Sequence, residues 1–246
     1  MAYNDNVRNK LAAVSTATLT TVLLKHGLRN AFIGDLKILN PAAPRMVGPA
    51  YTLRYIPARE DIDHINVFED RGHPQRRAIE ECPEGHVLVI DSRKDHSAAS
   101  AGGILVTRLF KRGAAGVVTD GGFRDSPDIA ELPFPAYHVA PSAPTNLLRH
   151  HAIDLNVPIG CGDVPVYPGD IVVGDAEGVV IIPAAIAEDV ADEAFEQTMF
   201  EDFVQEQVMA GRSIFGVYPP DAAAKAEFER WRLSRINAQT TMRAQA

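Results

Sequence analysis

Cysteine is nearly absent from this chain: among 246 residues only Cys82 and Cys161 carry thiols. Two thiols exclude a disulfide framework and a cysteine-rich zinc site. No apolar run approaches the roughly 18 residues of a membrane span, since Gly116-Val117-Val118 and Val179-Val180-Ile181-Ile182 are strand-length. Positive charge is short as well. With 24 Lys and Arg against 32 Asp and Glu, the formal net charge is −8 and the electrostatic footprint of a duplex nucleic-acid binder is missing. Nothing near Met1 resembles a signal peptide. The expectation is a cytoplasmic protein with reduced thiols that engages neither nucleic acid nor membrane.

Recognisable metal and phosphate signatures are missing too. The eight histidines are scattered, and His150-His151 are adjacent rather than four apart, which disfavours a zinc hydrolase. His73 and His96 stand as loop residues within reach of a ligand. Cys161, in Gly160-Cys161-Gly162-Asp163, lacks the local pattern of a cysteine protease and reads as a buried thiol. No complete phosphate loop or dinucleotide fingerprint occurs, and no internal repeat.

What is present is an α/β pattern. Helical spacing opens the chain over Asn6 to His26, with a cap at Ser15 or Thr16. Pro41, Pro44 and Pro49 break the next stretch, and Tyr51 to Ile56 alternates as a half-buried strand. Val87-Leu88-Val89-Ile90-Asp91, then Gly102-Gly103, the helical pattern from Ile104 and the strand Val117 to Asp120 make a βαβ unit. Short strands dominate Pro133 to Pro183. A long helix then runs to about Gly211, and after Pro219-Pro220 a further helix holds Trp231 before a polar tail expected to fray from Asn237.

Ligands of parallel sheets sit beyond the carboxyl ends of the strands, where Asp91 and Arg124-Asp125 are expected. Gly102-Gly103 would free backbone N–H groups at a helix N-terminus for a carboxylate or phosphate, although a glycine pair before a helix is also an ordinary turn. Asp120, Arg124 and Asp125 bracket two glycines directly after an apolar strand. A surface ion pair in a turn satisfies that pattern, and so does a site. Asp125 suits a hard divalent ion such as Mg²⁺, and Arg124 offers a planar fork to a carboxylate or enolate oxygen.

The segment Gly102 to Asp125, together with Ser15-Thr16-Ala17-Thr18-Leu19, Val47 to Thr52 and Pro168 to Val180, resembles the RraA-like family. That family includes metal-dependent 4-hydroxy-4-methyl-2-oxoglutarate and 4-carboxy-4-hydroxy-2-oxoadipate aldolases and the regulator of ribonuclease activity A. The resemblance covers roughly Ser15 to Tyr218. It implies a three-layer β/β/α swivelling domain over residues 1–218, flanking N- and C-terminal helices with 219–246 as the last helix and tail, and a homotrimer or dimer of trimers with sites between subunits. It further implies that Asp125 binds Mg²⁺ or Mn²⁺ and that Arg124 steadies a pyruvate enolate. The N–H groups of Ile104 and Leu105, beside Gly102 and Gly103, then receive the substrate carboxylate. A glutamate on the late helix of a neighbouring subunit completes the metal's water shell, with Glu201 the best match and Glu193 and Glu196 open.

The sequence departs from the aldolase pattern at Gly103, where an acidic residue is usual, and over Asp63 to Ile79, where Arg71, His73, Arg76 and Arg77 replace an Asp-Asn pattern. The implied activity is class II pyruvate aldolase cleavage of a 4-hydroxy-2-oxo acid, a 2-oxo-3-deoxy sugar acid among the candidates, with oxaloacetate decarboxylation on the side. A non-catalytic regulator that binds an RNase and a sugar-acid dehydratase are the alternatives.

Overall fold

The computed structural model describes residues 3–245, with side chains for 3–235. Helices α1 (Asp5–Ala13) and α2 (Thr16–Lys25) come first, then strands β1 (Phe32–Ile33), β2 (Lys37–Ile38) and β3 (Met46–Pro57). A 3₁₀ turn at Ile65–Glu69 leads to α3 (Pro74–Glu81), β4 (Val87–Asp91), β5 (Ala99–Ala101) and α4 (Gly103–Lys111). Next are β6 (Gly116–Thr119), β7 (Gly122–Phe123), α5 (Ser126–Ala130), β8 (Ala136–His138) and β9 (Ala140–Pro141). The β-rich stretch holds β10 (His150–Leu155), β11 (Ile159–Cys161), β12 (Val164–Val166), β13 (Ile171–Gly174) and β14 (Val179–Ile182). Helices α6 (Ala187–Met209) and α7 (Ala222–Gln245) close the chain.

Ser15 is the cap of α2: its Oγ accepts from the Thr18 N–H at 3.1 Å, while Thr16 gives its N–H and hydroxyl to Asp175, each at 2.8 Å. The turn before β14 is thereby tied to the start of α2. Pro49 does not break the chain as expected, because β3 changes partner there. Met46 to Pro49 pairs antiparallel with β13, and Ala50 to Arg54 pairs parallel with β4. A residue without an N–H is tolerated at such a handover. One residue earlier only glycine fits, since a Cβ on Gly48 would lie 2.3 Å from the Gly85 carbonyl oxygen.

The large sheet runs β1-β14-β13-β3-β4-β6-β8-β2, with β10 also on β3, and its centre β3-β4-β6-β8 is parallel. β4 reads as a continuous apolar run because both faces are covered. Leu88 and Ile90 pack with Ala78 and Ile79 of α3 and Val106 and Leu109 of α4, whereas Val87 and Val89 pack with Ile159, Val164 and Val166 of the β11–β12 hairpin. Alternate residues of one strand thus build two cores, giving helix, sheet and β-hairpin layers.

His138, on β8, is buried against Phe123, ring centroids 5.7 Å apart, and its Nδ1 has no partner among the described residues. Burial, with Lys37 directly across the β2–β8 pair, lowers its pKa from 6.5 to about 4. The unfolded chain therefore binds a proton that the fold refuses, and stability falls as pH drops from 6.5 toward 4. At about 1.4 kcal/mol per pH unit the loss is roughly 3 kcal/mol. Urea midpoints at pH 7 and pH 4.5 should show a smaller acid loss in His138→Phe than in the wild type; equal losses would refute the assignment.

The chain forms two compact units, residues 1–192 and 193–246. The division between these units falls within α6. In the second unit, Phe200 and Phe203 of α6 pack on Phe228 and Trp231 of α7, and Trp231 Nε1 donates to Glu206 at 2.8 Å. The backbone of α7 stays helical through the segment expected to fray from Asn237; the side chains there lie outside the described residues. No helix among the described residues is long and apolar enough to cross a membrane.

Candidate active site

A second, small parallel sheet creates the site. β5, β7 and β9 pair in that order, Ala99 opposite Gly122 and Phe123 opposite Pro141. Buried hydroxyls tie it to the large sheet: Ser100 Oγ lies 2.7 Å from Ser92 Oγ and 2.6 Å from Thr119 Oγ1. β5 runs directly into Gly102-Gly103, and β7 into Arg124-Asp125. The Arg124 N–H donates to the Ala101 carbonyl at 3.1 Å, which holds the two chain ends side by side.

At this junction Asp125 takes a left-handed backbone, φ 56°, as α5 begins. A non-glycine residue there carries strain of about 1–2 kcal/mol, least for Asp and Asn, and such strain concentrates at functional positions. Asp125 Oδ2 accepts the Gly103 N–H at 3.1 Å and lies 3.6 Å from Arg124 Nε. Asp125 Oδ1 has no protein partner among the described residues. Gly102 is required beneath Arg124, for a Cβ there would stand 2.8 Å from Arg124 Cγ.

The N-terminus of α4 forms the floor. Leu105 and Val106 both donate to the Gly102 carbonyl, at 3.0 and 3.1 Å, and Gly103 donates to Asp125. Of the N–H groups from Gly103 to Val106, that of Ile104 has no acceptor among the described residues, so the expected pair of free donors at Ile104 and Leu105 is reduced to one. Above it opens a cleft of about 240 Å³ that Gly102, Ile104, Leu105, Arg124 and Asp125 line together. Both charged side chains are partly exposed, at 47% for Arg124 and 42% for Asp125. A cation, a carboxylate and a free helix N–H thus face one solvent-connected space, able to hold a carboxylate-bearing small molecule next to a hard metal ion.

A family model described as RraA-like, aldolase/RraA, matches residues 13–181. The chain belongs to the RraA-like family. A Halalkalibacterium halodurans protein, named provisionally as a 4-hydroxy-4-methyl-2-oxoglutarate aldolase, is 35% identical over 154 residues, 61% of this chain and 65% of that protein. The chain therefore spans slightly under two thirds of that relative's length. The Thermus thermophilus 4-hydroxy-4-methyl-2-oxoglutarate aldolase is 30% identical over 119 residues, 48% of this chain and 71% of that enzyme. Among solved structures, Streptomyces coelicolor RraAS2, described as an unusual member of the RNase ES inhibitor RraA family, superposes with a TM-score of 0.72 at 28% identity. That match covers 83% of this chain and 98% of the Streptomyces one. The RraA fold is thereby established for this chain.

Other sequence candidates of this RraA-like chain lie elsewhere. Asp120 turns away from Arg124 and is buried, accepting N–H groups from Ser92 at 2.6 Å and from Lys94 and Gly162 at 3.0 Å. Asp91 is also a loop anchor, bonded to the Arg93 N–H at 2.9 Å. Burial pushes both carboxyls above their ordinary pKa, and each backbone donor pulls back down. His96 lines a separate depression with Asp120 and Lys94, and Cys161 is buried, its thiol pushed far up. His73 is buried edge-on to Phe68, centroids 5.5 Å apart. Glu193, Glu196 and Glu201 belong to the second unit, where Glu196 pairs with Arg232 at 2.8 Å and Glu201 accepts from Gln197 at 2.9 Å. Sequence reasoning missed Phe68, Gln75, Thr145 and Asn146, which line the Arg124 cleft from distant segments.

Proposed function

We propose that this RraA-like protein is a divalent-metal-dependent aldolase that releases pyruvate from a 4-hydroxy-2-oxo acid. The adjacency of Arg124, Asp125 and the free Ile104 N–H in one cleft carries the reading, and the aldolase names of the relatives support it. Asp125 fits an ion that keeps most of its water: Oδ1 is uncommitted, and no cluster of three or more His, Cys, Asp or Glu among the described residues would replace that water. Asp125 would hold Mg²⁺ or Mn²⁺. A carboxylate on α6 of a neighbouring copy, Glu201 first and Glu193 or Glu196 next, would order the remaining waters in a homotrimer or dimer of trimers.

When bound, the ion supplies Lewis-acid polarisation of the 2-oxo group. The chain's own groups do the rest. The Ile104 N–H and the α4 N-terminus receive the C1 carboxylate. As the C3–C4 bond breaks, its electron pair moves onto the C2 oxygen, where the Arg124 guanidinium donates to the growing negative charge. The C4 hydroxyl gives its proton to water and becomes the carbonyl of the departing product, and C3 takes a proton to complete pyruvate. Among the described residues no lysine lines the cleft for a Schiff base. The same electron sink would release CO₂ from oxaloacetate.

Pyruvate formation from 4-hydroxy-4-methyl-2-oxoglutarate should vanish in EDTA and return with excess Mg²⁺. Full turnover in EDTA would sink the mechanism. A second reading, an RNase-binding regulator, has the likeness to Streptomyces RraAS2 behind it. Absence of turnover with Mg²⁺ on a panel of 4-hydroxy-2-oxo acids, joined to inhibition of a ribonuclease, would favour it.

A further inference from the structure

Thr119, Asp120 and Gly121 link the large sheet at β6 to the small sheet at β7, and β7 is only Gly122–Phe123 before Arg124 and Asp125 begin. Each of the three is committed to a buried contact. Thr119 Oγ1 lies 2.6 Å from Ser100 Oγ and 3.1 Å from Ser92 Oγ, and the two serine oxygens are 2.7 Å apart. Three hydroxyls with three O–H donors close a ring in which each donates to the next. All three residues are fully buried, so the ring is shut off from bulk water. Gly121 returns its N–H to Thr119 Oγ1 at 3.0 Å, and a Cβ on it would stand 2.7 Å from Ser92 Cβ.

Asp120 gathers the surrounding loops. Its Oδ1 accepts the Ser92 N–H and its Oδ2 those of Lys94 and Gly162, so the β4–β5 loop and the β11–β12 turn meet on one buried carboxylate. Ser92 is held twice, by Asp120 through its N–H and by the ring through its Oγ. Farther on, Gly121 and Phe123 give their carbonyls to Val139 at 3.0 Å and Ser142 at 2.9 Å. The left-handed backbone of Asp125 persists only where its surroundings over-determine it, and this hub lies immediately upstream.

We infer that Thr119 and Asp120 are positioning residues for the metal site, fixing the direction in which β7 delivers the Asp125 carboxylate and the Arg124 fork. Neither touches the ion or the substrate. The inference rests on the metal-dependent reading of Asp125, in which one carboxylate of this chain meets the ion. A change in that carboxylate's direction then has no second ligand of the same chain to offset it. Groups that orient a metal ligand typically contribute about 10–100-fold to affinity.

Mn²⁺ binding, followed by the loss of the free-ion paramagnetic resonance signal, tests this without turnover. Thr119→Val keeps the side-chain shape and removes the hydroxyl, and it should weaken Mn²⁺ binding about tenfold or more. Thr119→Ser, which retains the hydroxyl, should stay within about threefold of wild type. Val22→Ala, a deletion in the buried face of α2, is the comparator: it should lower the melting temperature and leave Mn²⁺ affinity within about threefold. Should Thr119→Val fail to fold, Ser100→Ala, which removes a single oxygen from the ring, decides. Near wild-type Mn²⁺ affinity in the ring variant, or equal weakening in Val22→Ala, overturns the positioning role and leaves the metal reading standing. A wild-type protein that binds no Mn²⁺ removes both.

Discussion

Replacing Asp125 by asparagine is expected to cut Mg²⁺-dependent pyruvate release about a thousandfold, close to 4 kcal/mol of barrier. Asparagine is the informative choice. Position 125 needs φ 56°, a conformation asparagine adopts at low cost, and the amide oxygen still accepts the Gly103 N–H. The variant loses charge and little else, so its melting temperature should stay within a few degrees of wild type. Mn²⁺ binding, followed by the loss of the free-ion paramagnetic resonance signal, should weaken in parallel with activity. An Asp125→Asn protein that kept a tenth of wild-type turnover would remove Asp125 from the metal site.

Arg124→Ala should lower kcat by roughly 10²–10³, the range for deleting one donor aimed at developing oxyanion charge. Arg124 stands over Gly102 with its stem in close contact, and its guanidinium shares the cleft edge with Asp125. Lysine should recover little of the loss, because a compact ammonium cannot reproduce the planar fork. Activity in Arg124→Lys near the wild-type level would mean that bulk positive charge, not directed hydrogen bonding, is what the reaction uses. A rise in KM with unchanged kcat would assign Arg124 to substrate binding alone.

The scaffold of this RraA-like chain is legible in its sequence where apolar runs are long. Val87 to Asp91 and the α4 pattern appear as read, and the strand expected at Val117 to Asp120 runs Gly116–Thr119, since strands buried on both faces announce themselves by continuous hydrophobicity. The elements that build the site do not. β5 is Ala-Ser-Ala and β7 is Gly-Phe, too short and too small for any periodicity, yet their pairing brings Gly102 next to Arg124. Asp120 and Asp125 look like one acidic group along the chain, but Asp120 is buried under three backbone donors while Asp125 is held at the cleft by a left-handed turn. The Phe68 and Asn146 side of the cleft arises from segments whose proximity only tertiary packing decides. The unit boundary is hidden for a related reason: hydrophobic spacing runs unbroken through α6 across 192/193.

The left-handed turn at Asp125 also bears on how such a protein diverges. Glycine and asparagine tolerate that backbone at least as well as aspartate, and each is a single base change away from an aspartate codon. The mutations nearest at hand are therefore those the fold accepts and the chemistry does not. Under the proposed aldolase function, a gene encoding this scaffold could lose that activity without crossing a valley of misfolded intermediates, and selection would then be free to retain the folded product for whatever its surface binds.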